Sequence, residues 1–210
     1  MARKPPPTWK LTYFDGRGRA EILRLILAYN GRKYIDNRIS FEEWATIQSS
    51  TPFGALPVLE INGCMYAQAI AVAQFLARES GLYTKNSLDT LTIDQILLAR
   101  EDILVPEAKI KFEKDKAKQK EFLDEYIENL YPKYFTYFNN LIKKNPAKSG
   151  FAIGKNITLA DISIFDMTEW VTSVRKNVLD QYPEIKTLRA KVAAVKGIKQ
   201  YLEQRKDSPF

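Results

Sequence analysis

Tyr13 is followed at close range by two arginines, Arg17 and Arg19, in a chain of 210 residues that contains no histidine. That absence removes Ser/His and Cys/His nucleophile pairs, a histidine general base and the common zinc sites in one step. Any chemistry must then use tyrosine, arginine, carboxylates, lysine or a bound cofactor, and no metal is expected. A tyrosine hydroxyl donates a hydrogen bond to an anion and a neighbouring arginine adds positive potential, so Tyr13 is the leading candidate for stabilising a negative charge. The single cysteine, Cys64, excludes an internal disulfide framework and fits a reducing compartment.

The surrounding pattern indicates what positions these residues. A strand from Lys10 to Tyr13 gives way to a glycine-bearing loop. A helix follows from Arg19 to Asn30, with Ile22, Leu23, Leu25, Ile26 and Leu27 as its buried face. A strand over Lys33 to Arg38 comes next, and then an irregular segment carrying Trp44. Pro57 opens an apolar run, a position that suits proline because it cannot donate to a sheet ladder. Strands over Val58 to Ile61 and Met65 to Ala67 flank Asn62-Gly63, a dipeptide that favours a two-residue hairpin turn. A helix over Ala69 to Glu79 completes a compact α/β unit with a mixed sheet.

Residues 1–8 form a proline-rich leader expected to be mobile, and Gly81 to Ser87 reads as a linker. From 88 to 210 the pattern is all-helical. Pro106 and Pro132 are expected to kink or restart helices. Thr158 and Asp161 have the spacing of a helix N-terminal cap, a structural role, with the threonine oxygen accepting from the third following amide.

With 45% apolar and 27% charged residues, the chain has the composition of an ordinary soluble protein. No apolar run is long enough to span a bilayer, and the basic start lacks the apolar stretch of a secretory signal, so the expected location is cytoplasmic. The net charge of +7 is densest over Lys109 to Lys120, where Glu113 and Asp115 are interleaved, with Glu107 and Glu121 on either side. This reads as a solvated helical face, and neither nucleic acid nor membrane is an expected partner.

Several motifs in order carry a resemblance: Leu11-Thr-Tyr-Phe14, Arg17-Gly-Arg-Ala-Glu21, Arg38-Ile-Ser40 with Trp44 beyond it, Pro52-Phe-Gly-Ala-Leu-Pro57, Gln68-Ala-Ile-Ala71, Ile153-Gly-Lys-Asn-Ile-Thr-Leu-Ala-Asp161 and Tyr182-Pro183. In these the chain resembles the cytosolic glutathione transferases, most nearly the sigma class. The resemblance implies a thioredoxin-like glutathione-binding domain over 9–81 and an all-helical domain over 88–210. It also implies a homodimer that uses glutathione as co-substrate and conjugates its thiolate to small hydrophobic electrophiles. The alternative within the same fold is a catalytically weakened relative, a ligand carrier or a crystallin-like structural protein.

By that resemblance Tyr13 donates to the glutathione sulfur and Arg19 is its electrostatic helper. Without it, the two also read as a strand-end aromatic and a solvated residue of a helix's first turn. Leu56, preceding Pro57, pairs with the ligand backbone, Trp44 and Gln48 lie toward the glycyl end, and Gln68 and Ala69 meet the γ-glutamyl end. Ala69 departs from the family's serine and loses a charged hydrogen bond worth roughly 1.5 to 3 kcal/mol, although the helix N-terminus still attracts a carboxylate. Gln48 and Ala55 replace residues with further polar reach, so weakened affinity is expected. Asp102 matches an acid that reaches the neighbouring subunit's ligand; it also reads, with Glu101, as a solvated pair beside Arg100. Phe14, Gly16, Leu104, Ala108, Ser163 and Met167 are nominated for the electrophile pocket, and Ser208-Pro-Phe210 for its mouth. Lys109 replaces a tryptophan of the prostaglandin D synthases, which argues against that isomerisation.

Overall fold

The computed structural model describes residues 8–208. The leader, apart from Thr8, and the last two residues of the pocket-mouth segment therefore lie outside the described residues. The first unit runs β1 (Trp9–Phe14), a 3-10 turn (Gly18–Ala20), α1 (Glu21–Tyr29), β2 (Ile35–Ile39), α2 (Phe41–Ile47), further 3-10 turns at Gln48–Ser50 and Pro52–Gly54, β3 (Val58–Ile61), β4 (Cys64–Tyr66) and α3 (Ala69–Glu79). The sheet order is β2-β1-β3-β4. β1 is parallel to β2 and antiparallel to β3, and β4 is antiparallel to β3. Burial explains the central place of β1: Leu11 and Leu59, partners across β1 and β3, are fully buried beside the apolar face of α1. Each such side chain contributes roughly 1.5 to 3 kcal/mol when removed from water.

Two expectations change here. Trp44 lies within a helix, because Ser40 accepts from the Glu43 amide while the Glu43 carboxylate accepts from the Ser40 amide, a capping box that starts α2. The helix expected from Arg19 begins at Glu21, with the preceding turn wound as 3-10 around Gly18.

The helical unit comprises α4 (Ser87–Phe112), α5 (Lys116–Glu125), a π-helical turn (Tyr126–Leu130), α6 (Tyr131–Lys144), α7 (Leu159–Val174), α8 (Pro183–Ala193) and α9 (Lys196–Gln204). α4 passes through Pro106 without ending, and Pro132 sits in the first turn of α6, directly after the π-helical turn, with the chain helical throughout. The basic stretch is not one helical face: helix is interrupted between Phe112 and Lys116, and Asp115 caps α5 through the amides of Ala117 and Lys118. Lys111 within it is largely buried against Glu107. At α7 the Asp161 carboxylate accepts from the Thr158 amide, the Thr158 hydroxyl and the Ala152 amide. The cap expected from sequence is present, and its carboxylate also ties down the preceding loop.

Candidate functional site

The strand registers gather four chain segments at one sheet edge. In the parallel pair, Tyr13 and Phe14 face Arg38 and Ile39, so α2 starts beside the end of β1. In the antiparallel pair Thr12 faces Val58, which brings Pro57 and Leu56 alongside Tyr13. Leu59 faces Tyr66, so the chain leaving β4 enters α3 at the same edge. The Leu56–Pro57 bond is cis.

Tyr13 is 9% exposed, and its hydroxyl accepts the Arg19 backbone N–H at 3.2 Å. Gly18 packs directly on this hydroxyl: a Cβ there would lie 2.6 Å from the Tyr13 oxygen, and its φ of +38° favours glycine independently. With one lone pair filled from below, the hydroxyl proton is left for a partner in the cavity above. That cavity has a volume of about 240 Å³ and is lined by Tyr13, Phe14, Gly18, Arg19, Phe41, Leu104, Ala108, Lys111 and Phe112. Phe14 anchors the aromatic wall, with ring centroids 4.6 Å from Phe41 and 6.2 Å from Trp44.

The nominated pocket residues divide. Phe14, Leu104 and Ala108 line the cavity. Gly16 is buried below it with its carbonyl bound by Arg24, while Ser163 and Met167 are fully buried inside α7, the serine hydroxyl donating to the Leu159 carbonyl. They are core residues because α7 is packed against both α4 and α1. The Arg19 side chain meets Glu101, Nε to Oε2 at 2.9 Å, so its backbone amide rather than its guanidinium reaches Tyr13. Asp102 is exposed and accepts from the Tyr134 hydroxyl at 3.0 Å.

Of the residues nominated for glutathione, Gln48 donates its amide to the Gly54 carbonyl at 3.2 Å. Trp44 is half-buried on α2, and Ala69 is buried at the first position of α3. Gln68 precedes it with φ +70° and ψ 95° and gives α3 no side-chain cap. Backbone held in this region costs about 1 to 3 kcal/mol and clusters at ligand clamps. The first amides of α3 receive no side-chain cap from Gln68, and uncapped amides at a helix N-terminus suit a carboxylate.

Sequence reasoning missed Gly18 as a contact of the hydroxyl, and Phe41, Lys111 and Phe112 as cavity walls. Phe41 was legible from the Ser40–Glu43 cap, which places it on the same helix as Trp44. Lys111 stands three and seven residues beyond Ala108 and Leu104 on α4, the helical spacing of one face. Beneath the cavity Glu107 accepts from the Tyr131 hydroxyl at 3.0 Å, and burial raises its carboxyl to about 7. Burial also lowers the ammonium of Lys111 from its ordinary value.

Comparison with known proteins agrees with this geometry across most of the chain. The model of the glutathione S-transferase N-terminal domain matches residues 9–78, and that of the C-terminal domain matches residues 101–205. The chain is 34% identical over 206 residues to a probable glutathione S-transferase 7 of Caenorhabditis elegans, covering 96% of this chain and 98% of that protein. It is 33% identical over 205 residues to S-crystallin SL11 of Nototodarus sloanii, with 97% and 100% covered. Among solved structures, monomeric Na-GST-3 of the hookworm Necator americanus superimposes with a TM-score of 0.84 at 33% identity, covering 97% of this chain and all of that one (100%).

Proposed function

The chain belongs to the glutathione S-transferase family, and from that premise we propose that it joins the thiolate of glutathione to small apolar electrophiles. The observation that carries the reading is the Tyr13 hydroxyl, which accepts from the Arg19 amide at the floor of an aromatic-walled cavity. Its remaining proton donates to the glutathione sulfur and favours the thiolate, the form that attacks. The thiol proton passes to water, the sulfur's electrons form the new bond to the electrophilic carbon, and the leaving group departs with the displaced pair or, in an addition, a proton from water completes the product. Phe14, Phe41, Leu104, Ala108 and Phe112 supply the apolar walls for the electrophile.

The rest of glutathione extends along the sheet edge. Its backbone pairs with Leu56 beside Pro57, its glycyl end lies toward Trp44 and Gln48, and its γ-glutamyl carboxylate meets the amides of Ala69 and Ile70 next to Gln68. Ala69 has no hydroxyl to give, and Gln48 already spends its amide on Gly54. Affinity for glutathione is therefore weaker than a serine at position 69 would provide. Those two features also favour the second reading, a ligand carrier or crystallin-like protein that keeps the fold with reduced turnover.

The exposed side chains of Leu91, Leu98 and Val105 recur every seventh residue on α4, with Asp102 on the same stretch, and Met65, Tyr66 and Phe75 are exposed on the other unit. They support a homodimer in which Asp102 turns from Tyr134 to the partner's ligand. No helix among the described residues is long and apolar enough to cross a membrane. Calorimetric titration with glutathione followed by a conjugation assay with an aryl halide tests the reading. Binding with turnover supports the enzyme, binding without turnover supports the carrier, and neither supports the structural protein.

A further inference from the structure

Two buried arginines each donate to a carbonyl of the loop that joins β1 to α1. Arg24, on α1, gives Nη1 to the Gly16 carbonyl at 2.7 Å and is balanced by Glu21 and Asp36 of the same unit. Arg100 comes from α4 in the helical unit. Its side chain is 1% exposed, and it gives Nη2 to the Gly18 carbonyl at 2.9 Å. Its Nε lies 2.7 Å from Asp166 Oδ2 on α7. An ion pair at this depth returns little net stability, because the loss of hydration offsets the attraction.

The peptide group that Arg100 holds is the one that touches the tyrosine. The Gly18 carbonyl and the Arg19 N–H belong to one planar amide, and that N–H is the donor to the Tyr13 hydroxyl. A cation on the oxygen of an amide draws electron density toward it and makes the N–H a stronger donor, and chains of such bonds reinforce one another. The same grip fixes the amide in space, since Gly18 has no side chain to pack and its φ of +38° lies in a region glycine visits freely.

We propose that Arg100, held by Asp166, is a positioning residue that acts through the Gly18–Arg19 peptide to orient the Tyr13 hydroxyl and strengthen it as a donor, so that the helical unit sets how readily bound glutathione ionises. This rests on the proposed role of Tyr13, and the experiment separates the two. The measurement is kcat against pH at saturating glutathione, with an aryl halide as electrophile, on the full chain. Arg100→Leu combined with Asp166→Leu removes both charges of the buried pair together, while Glu101, whose Oε1 lies 3.6 Å from Arg100 Nη1, keeps its ion pair with Arg19. Its profile is expected to move up by roughly 0.5 to 1 pH unit, with KM for glutathione within about twofold of the parent. Arg100→Lys keeps a charge opposite Asp166 but loses the planar fork that reaches both partners, so a smaller shift in the same direction is expected.

Tyr13→Phe is run beside these, and in its background the Arg100 changes should move nothing further, because the hydroxyl through which they act is gone. A profile for the double-leucine variant that superimposes on the parent overturns the inference. If that variant fails to fold, an unshifted Arg100→Lys profile overturns it equally. Equal shifts with and without the Tyr13 hydroxyl also overturn it, by showing a general loosening of the site. A Tyr13→Phe profile unchanged from the parent instead defeats the role assigned to Tyr13.

Discussion

The end of β1 and the start of α3 lie at one sheet edge, yet they are held in different ways. At the β1 end, the loop takes its positive φ on a glycine and its carbonyls at Gly16 and Gly18 are bound by buried arginines from two units. At the α3 end, a positive φ falls on Gln68, a residue that pays for it, and the helix has no side-chain cap. Ala69 then has only backbone to offer the proposed ligand. The end proposed to meet the sulfur is over-determined, and the end proposed to meet the γ-glutamyl group is sparse. Turnover and affinity are therefore expected to respond to different residues.

Removal of the donor breaks the comparison most sharply. Tyr13→Phe should lower kcat by on the order of 10²-fold near neutral pH, the usual effect of deleting one preorganised donor to a developing anion. Glutathione affinity by calorimetry should stay within a few-fold, because the other contacts are untouched. A parallel loss in both would mean that the hydroxyl serves binding rather than ionisation. Gly18→Ala should come next, with roughly a tenfold loss in kcat, since its methyl would sit 2.6 Å from the hydroxyl oxygen and push the peptide away. A variant as active as the parent would show that the loop has slack, contrary to the two-arginine clamp.

Part of this contrast was legible in the sequence. Tyr13 at a strand end, Pro57 before an apolar run and the Ala69 helix were readable because each rests on a local signal: a short strand giving way to a glycine-bearing loop, a missing amide, a segment that follows a hairpin turn. Gly18 against the hydroxyl and Arg100 on the Gly18 carbonyl were not, because both depend on a contact between segments that share no local signal. Ser163 and Met167 show the opposite failure. Their positions on α7 were right, but which face of that helix meets the cavity and which meets α4 and α1 is decided by packing. Trp44 lies on a helix and not in irregular chain because the Ser40–Glu43 cap, a short local signal, starts α2 just before it.

The sparse end is open to repair. Ala69→Ser adds a hydroxyl beside the first amides of α3, and a charged hydrogen bond of about 1.5 kcal/mol should tighten glutathione by about tenfold. The gain should appear in Kd with kcat at saturation unchanged, since nothing at Tyr13 has moved. Unchanged affinity would mean that the carboxylate is held elsewhere, and the contrast between the two ends would have to be redrawn.

The smallest effect on turnover is expected beneath the cavity, at Glu107. Its burial raises the carboxyl to about 7, above the ordinary value of 4.5 that it recovers on unfolding. Between those two values the folded chain holds the proton more tightly than the unfolded chain does, so stability falls as pH rises through the window and the contribution is lost above about 7. Glu107→Gln keeps an acceptor for the Tyr131 hydroxyl and has no proton to lose, so its melting temperature should fall less between pH 5 and pH 8 than the parent's. The difference between the two curves should be on the order of 2 kcal/mol across the window. Asp161, raised to about 6 by its own burial, titrates in both proteins and cancels in that difference. Because Glu107 lies below Lys111 and outside the cavity lining, kcat at pH 7 should stay within about twofold of the parent. Parallel melting curves would show that Glu107 is ionised throughout, held as an ion pair by Lys111. A large loss of turnover would show that the floor under the sulfur end is part of the same clamp.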